Sequence, residues 1–71
     1  MRRPVGMSGT RLREIRDRLG WSQETMASWL GVARNTVARM EGGSLPVPVT
    51  TARLAILIQE EKNQQKILSD T

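Results

Sequence analysis

The chain has 71 residues, of which 38% are hydrophobic, and this is enough for one small domain with a modest core. It contains no cysteine and no histidine, which excludes disulfides, thiolate metal sites and histidine general bases. The longest apolar run, residues 54–58, is far shorter than the roughly 20 residues of a membrane helix. Since the first residues also lack the apolar segment of a secretory signal, we expect a soluble, cytoplasmic protein.

The net charge of +4 is unevenly distributed along the chain. Residues 1–53 hold nine arginines and four acids, which gives +5. Residues 54–71 hold two lysines and three acids, which gives −1. This distribution favours contact with a polyanion through the first three-quarters of the chain, and the alternative is simply a solvated surface.

Helical signals follow one another along the chain, and no segment predicts a strand. Residues 1–9 contain a proline and two glycines and predict a flexible basic arm. Thr10 predicts the N-cap of a first helix that ends at Gly20. Within that helix, Leu12 and Ile15 are spaced to face the core.

Two shorter helices are predicted next, on either side of a glycine turn. Ser22 predicts the N-cap of a helix over residues 23–30, which Gly31 ends. A third helix is predicted over residues 34–41. Its N-cap is weak, because Ala33 has no side-chain acceptor.

Two prolines predict an extended loop over residues 44–49. A fourth helix starts near Thr50 or Thr51, and nothing in the sequence breaks it before Ser69. One long helix and two shorter ones both remain open. The chain is therefore divided into a flexible basic arm at 1–9, a domain at 10–61 and a C-terminal helical tail at 62–71, either separate from or continuous with the last helix.

The segment QETMASWLGVARNTVARMEG, residues 23–42, has the spacing of two short helices joined by a tight turn. Ala27 is predicted to lie where these two helices cross closely. Val37 and Met40 are predicted to pack the second helix against the core. This pattern resembles the helix-turn-helix of the phage Cro/repressor family, and the resemblance covers about two-thirds of the chain. It implies an all-α fold of four or five short helices, a lambda-repressor-like DNA-binding domain.

The resemblance implies that the helix Arg34–Glu41 enters the major groove of duplex DNA. Arginine can donate two hydrogen bonds to guanine, and asparagine can pair with adenine. The predicted base-reading residues are Ala33, Arg34, Asn35, Thr36 and Arg39. The predicted phosphate contacts are Ser22, Gln23, Thr25, and the main-chain N–H groups of Gly43 and Ser44. The alternative for each is an ordinary solvated residue.

Other residues have structural or partner roles in this interpretation. The resemblance implies an ion pair between Arg16 and Glu41. Trp21 is predicted to lie in the core, whereas Trp29 either packs on the fourth helix or marks a contact with a partner. Spare apolar residues either pack back on the domain or form a symmetric dimer interface; they are Val47, Val49, Ile56, Ile58, Ile67 and Leu68.

The function predicted from these features is that of a sequence-specific transcriptional regulator at the nucleoid. It acts as a repressor and binds an inverted-repeat operator as a homodimer. The alternatives are an antitoxin-like or accessory DNA-binding protein with a protein partner on its tail, and a purely protein-binding module. No catalysis, cofactor or metal is expected, because the acids are scattered and the one adjacent pair, Glu60 and Glu61, points in different directions on a helix.

Overall fold

The computed structural model describes the backbone of residues 5–69 and the side chains of residues 6–63. Its elements are strand β1 (Val5–Met7), helices α1 (Gly9–Leu19), α2 (Gln23–Leu30) and α3 (Arg34–Gly42), strand β2 (Val47–Pro48) and helix α4 (Val49–Ser69). The predicted all-α class is confirmed. The fourth helix is a single helix of 21 residues, one residue longer at its start than the sequence predicted. No helix within the described residues is long and apolar enough to cross a bilayer.

Three glycines end the first three helices. Gly20, Gly31 and Gly43 have φ values of 72°, 73° and 86°, in the left-handed region that side chains with a Cβ avoid. The predicted stops at Gly20 and Gly31 are therefore confirmed. At the other end of α2, the Ser22 hydroxyl accepts a hydrogen bond from the Thr25 N–H at 3.1 Å, which confirms that cap. Ala33 provides no side-chain cap for α3, also as predicted.

The prediction that Thr10 caps α1 is wrong, because Ser8 has this role. The Ser8 hydroxyl accepts from the Arg11 N–H at 3.1 Å, and α1 begins at Gly9. A side chain at Gly9 would overlap the main-chain oxygen of Met40. The glycine therefore lets the start of α1 lie directly against the end of α3.

The prediction of helices without strands is also wrong. Strands β1 and β2 pair antiparallel, with Met7 opposite Val47 and a register irregularity beside this pair. Gly6 lies against α4, where a Cβ would overlap that of Ala52 and come within 2.8 Å of the Val49 Cα atom. Residues 5–9 of the predicted arm therefore belong to the folded domain. Residues 1–4 lie outside the described residues.

The core contains side chains from all four helices and from β2. The predicted inward positions in α1, α2 and α3 are confirmed, and Ala27 at the helix crossing is only 3% exposed. Of the apolar residues predicted to be spare, Val47 and Ile58 are buried, Val49 is partly buried and Ile56 is exposed. The side chains of Ile67 and Leu68 lie outside the described ones. The buried apolar residues are Leu12, Ile15, Met26, Ala27, Val37, Met40, Val47, Ala52, Ala55 and Ile58.

The contact between β1 and α4 predicts a position-specific cost of adding one methyl group. Gly6→Ala should lower the free energy of unfolding by about 1–3 kcal/mol, because the new Cβ overlaps Ala52. Gly42→Ala is the matched control: nothing lies within 4 Å of its Cβ position, and its φ is not positive. We expect this second variant to be neutral or more stable by up to about 1 kcal/mol. Urea unfolding followed by circular dichroism distinguishes the two, and equal stability would contradict the described strand packing.

Candidate nucleic-acid interface

The exposed side of α3 carries the polar residues that the sequence singled out. Arg34, Asn35 and Arg39 are all exposed, and Asn35 and Arg39 are four residues apart and hence neighbours on the helix surface. Val37 and Met40, on the other side of α3, are 0% and 2% exposed. The buried pair fixes the rotation of the helix, and the polar side therefore points into solvent in one defined orientation.

The remaining base-reading candidates flank this surface. Ala33 is exposed and precedes the helix, while Thr36 is partly buried. The arginines of α3 differ in their charge environment from three of the four arginines of α1. Three arginines of α1 lie within 4 Å of carboxylates, whereas Arg34 and Arg39 form no ion pair with another described side chain. The positive charge on α3 is thus available to an anionic ligand.

The start of α2 offers a hydroxyl donor at Thr25. The Ser22 hydroxyl accepts from the Thr25 N–H and donates to the Thr25 hydroxyl oxygen, both at 3.1 Å. Because the Ser22 proton is used in this way, Ser22 has little left to offer a ligand. The Thr25 hydroxyl keeps its own proton, and of these two residues Thr25 is therefore the better donor to an acceptor such as phosphate.

Behind this surface, the structure brings Arg16 and Glu41 together in a bidentate ion pair. Arg16 donates from Nε to Oε2 of Glu41 at 2.7 Å and from Nη2 to Oε1 at 3.1 Å. A third bond runs from Arg16 Nη1 to the main-chain oxygen of Trp21 at 2.8 Å. The two side chains are only 13% and 4% exposed. The bond to Glu41 raises the pKa of Arg16 despite its burial, so the guanidinium stays charged.

Gln23 belongs to the same network, which the sequence did not indicate. Its amide Nε2 donates to Oε1 of Glu41 at 3.2 Å. The amide nitrogen carries two protons, and only one of them is needed for this bond. Glu41 therefore orients the first side chain of α2 while leaving it one proton for an external acceptor.

The turn after α3 contains one part of the predicted phosphate site. The Gly43 N–H donates to the Met40 oxygen at 3.3 Å, and the Ser44 N–H donates to the Arg39 oxygen at 2.9 Å. These main-chain donors are therefore already used by the C-cap, which satisfies the last helical carbonyls. The contact of this turn with phosphate stays a prediction, and the group there without such a bond is the side chain of Ser44.

The two tryptophans stack on each other beside α4. Their ring centroids are 5.2 Å apart with an interplanar angle of 14°. Trp21 is partly buried against the core, whereas Trp29 is 50% exposed. Lys62 of α4 places Nζ 5.3 Å from the Trp29 ring centroid, in the geometry of a cation–π contact. Trp29 thus connects α2 to α4, which is one of the two roles predicted for it.

The part of the chain that the structure describes has no enclosed pocket. It also has no group of three acidic, cysteine or histidine side chains close enough to hold a metal ion. The candidate interface is therefore an open surface formed by the start of α2 and the outer side of α3.

Comparison with known proteins gives two matches. A family model described as a helix-turn-helix domain matches residues 9–59. A protein of Pyrococcus furiosus, provisionally named as an HTH-type transcriptional regulatory protein, is 42% identical over 48 residues. This match covers 68% of the present chain but only 15% of that protein. No solved structure matches the chain.

Proposed function

This chain belongs to the helix-turn-helix domain family, and on that basis we propose that it is a DNA-binding transcriptional regulator that reads specific duplex sequences. The observation that carries this proposal is the exposed row of Arg34, Asn35 and Arg39 on a helix whose rotation is fixed by the core. These side chains have the donors and acceptors that base edges require, and the arginine charges are not neutralised by other described residues.

In the proposed complex, α3 lies in the major groove with its first turn against the bases. Arg34 and Arg39 each donate two hydrogen bonds to a guanine, and Asn35 pairs with an adenine. Ala33 is available for contact with a thymine methyl group, and Thr36 lies beside it at the base edges. We propose that the regulator acts at the nucleoid as a repressor. It would do so by occupying a promoter and sterically excluding polymerase.

In the proposed complex, the phosphate contacts come from the start of α2. Gln23 donates its second amide proton and Thr25 donates its hydroxyl proton to backbone oxygens. The free N–H groups of a helix start add a favourable dipole for an anion. Ser44, just after the C-terminal end of α3, is exposed and offers its hydroxyl as a further donor.

Gln23→Ala should therefore weaken binding to every duplex by the same factor. A hydrogen bond to a charged group is worth about 1.5–3 kcal/mol, which corresponds to a loss of roughly tenfold to hundredfold for each half-site, and a symmetric dimer incurs it twice. The loss is uniform because a phosphate carries no base identity. Fluorescence anisotropy with a selected and a scrambled duplex measures it, and Ser28→Ala, an exposed α2 position, is the control. A loss confined to the selected duplex would assign Gln23 to base reading instead.

The proposed regulator works as a homodimer. Its two reading helices then meet successive major grooves about 34–36 Å apart, which requires an inverted repeat with centres about 10 base pairs apart or a multiple of that. Selection of bound duplexes from a random pool, followed by sequencing, tests the proposal directly. An inverted repeat is the expected result. A pool without any enriched motif would contradict it and favour a protein-binding module on this fold.

A further inference from the structure

One side of α4 exposes leucines that the domain does not cover. Leu54 is 38% exposed and Leu57, the most exposed large apolar side chain described, is 60% exposed. The opposite side of the same helix is buried, with Ala52 at 3% and Ala55 at 0%. We call the exposed surface around Leu57 the Leu57 face; it consists of Arg53, Leu54, Leu57, Glu60 and Glu61, all of them exposed.

We propose that the Leu57 face is a self-association surface, on which α4 of a second copy packs antiparallel across a two-fold axis at Leu57. The partner in this proposal rests on the proposed function, which needs two copies on one inverted repeat. The location rests on the burial and charge pattern of α4. The contact is isologous, so each copy presents the same surface to the other.

The charges of the Leu57 face complement themselves only in the antiparallel arrangement. Arg53 and Glu60 are seven residues apart and lie on the same side of the helix. With a rise of about 1.5 Å per residue, Arg53 lies about 6 Å before Leu57 and Glu60 about 4.5 Å after it. An antiparallel pair therefore brings each Arg53 close to the partner's Glu60. A parallel pair would place like charges together, which is unfavourable.

The charge of the whole chain agrees with contact through α4. Residues 1–53 carry +5 and residues 54–71 carry −1, and a contact centred on Leu57 lies in the second segment, with Arg53 as its one arginine from the first. Helix α4 packs on α1, α2 and both strands, whereas α3 packs mainly on α1 and α2. A second copy on the Leu57 face therefore covers the leucines without using the contacts that hold the reading helix.

Sedimentation velocity of the whole chain without DNA tests the proposal. The unmodified chain should sediment as a dimer, and Leu57→Glu should weaken the dimer by roughly a hundredfold or more, because two carboxylates meet at the axis. Leu45→Glu is the matched control, since Leu45 is 37% exposed but lies outside α4, between α3 and β2. It should remain dimeric. A monomeric unmodified chain, or a Leu57→Glu variant that dimerises normally, would overturn the proposal.

Charge exchange gives a second test that leaves the apolar contacts in place. Arg53→Glu and Glu60→Arg should each weaken the dimer on the order of tenfold, since each change creates two like-charge contacts. The combined variant should recover most of the loss, and no recovery would overturn the antiparallel pairing. Because no DNA is present, these outcomes are independent of the proposed function. That function fails separately, if pool selection yields no motif.

Discussion

Glu41→Ala is expected to lower the free energy of unfolding by about 3–5 kcal/mol, the usual cost of leaving one member of a buried ion pair without its partner. The Arg16 side chain, 13% exposed, would keep its charge and its bond to the Trp21 oxygen but lose both bonds to carboxylate. A small domain has a total stability of only about 5–15 kcal/mol. The variant should therefore be partly unfolded at moderate temperature, as urea titration and thermal melts would measure.

Two controls distinguish the effect of losing the Arg16–Glu41 pair from the effect of removing any surface charge. Glu14→Ala removes an exposed carboxylate, 3.5 Å from Arg11, and should change stability by less than about 1 kcal/mol. Combining Arg16→Ala with Glu41→Ala should lower the free energy of unfolding by less than the sum of the two single losses. The reason is that each single change leaves the other residue without its partner. Strict additivity would show that the two side chains do not interact in solution.

The second large effect concerns base preference. Asn35→Ala should lose discrimination at one adenine of each half-site, and Arg34→Ala or Arg39→Ala at one guanine. Each loss should be roughly 1–3 kcal/mol per half-site, and a symmetric dimer applies it twice. The reason is that each side chain pairs with a particular base edge from a helix whose rotation the core fixes. Repeating pool selection with each variant measures the preference at every position.

A charge-matched control is Arg18→Ala, which removes an exposed arginine from α1. It should reduce the affinity for all duplexes and leave the base preferences unchanged. If the α3 variants behave in the same way, with equal losses for selected and scrambled duplexes, α3 is not the reading helix.

The parts of the fold that the sequence predicted well are those specified by local chemistry. Ser22 and Gly31 set the ends of α2, because a side-chain cap and a left-handed glycine act within one turn of the chain. The spacing of Val37 and Met40 predicts that they lie in the core, and both are buried. The exposed side of α3 follows from the same spacing.

The parts that were missed depend on contacts between distant segments. Gly6 and Gly9 predict a flexible arm, yet each allows a close approach to a helix far along the chain. A glycine can mark either a flexible segment or a close approach between backbones, and the sequence alone does not distinguish these two roles. The bond from Gln23 to Glu41 joins residues 18 apart, and no local pattern indicates it.

The main-chain donors after α3 illustrate a different limit. The glycines in this turn suggested accessible N–H groups, but the same left-handed Gly43 that ends the helix turns those groups back onto the carbonyls of Arg39 and Met40. A cap and an anion site compete for the same donors. Whether the cap or an anion uses these N–H donors depends on the hydrogen-bond geometry of the turn, which the residue types alone do not determine.

The most direct test of the account is the ratio of the affinities of the unmodified chain for the selected inverted repeat and for a scrambled duplex of the same composition, measured at one physiological salt concentration. Salt must be held constant because phosphate contacts make every affinity strongly dependent on it. A specific reader is expected to prefer its site by roughly 10³-fold or more. A ratio near one would contradict the assignment of α3 as a helix that reads base sequence.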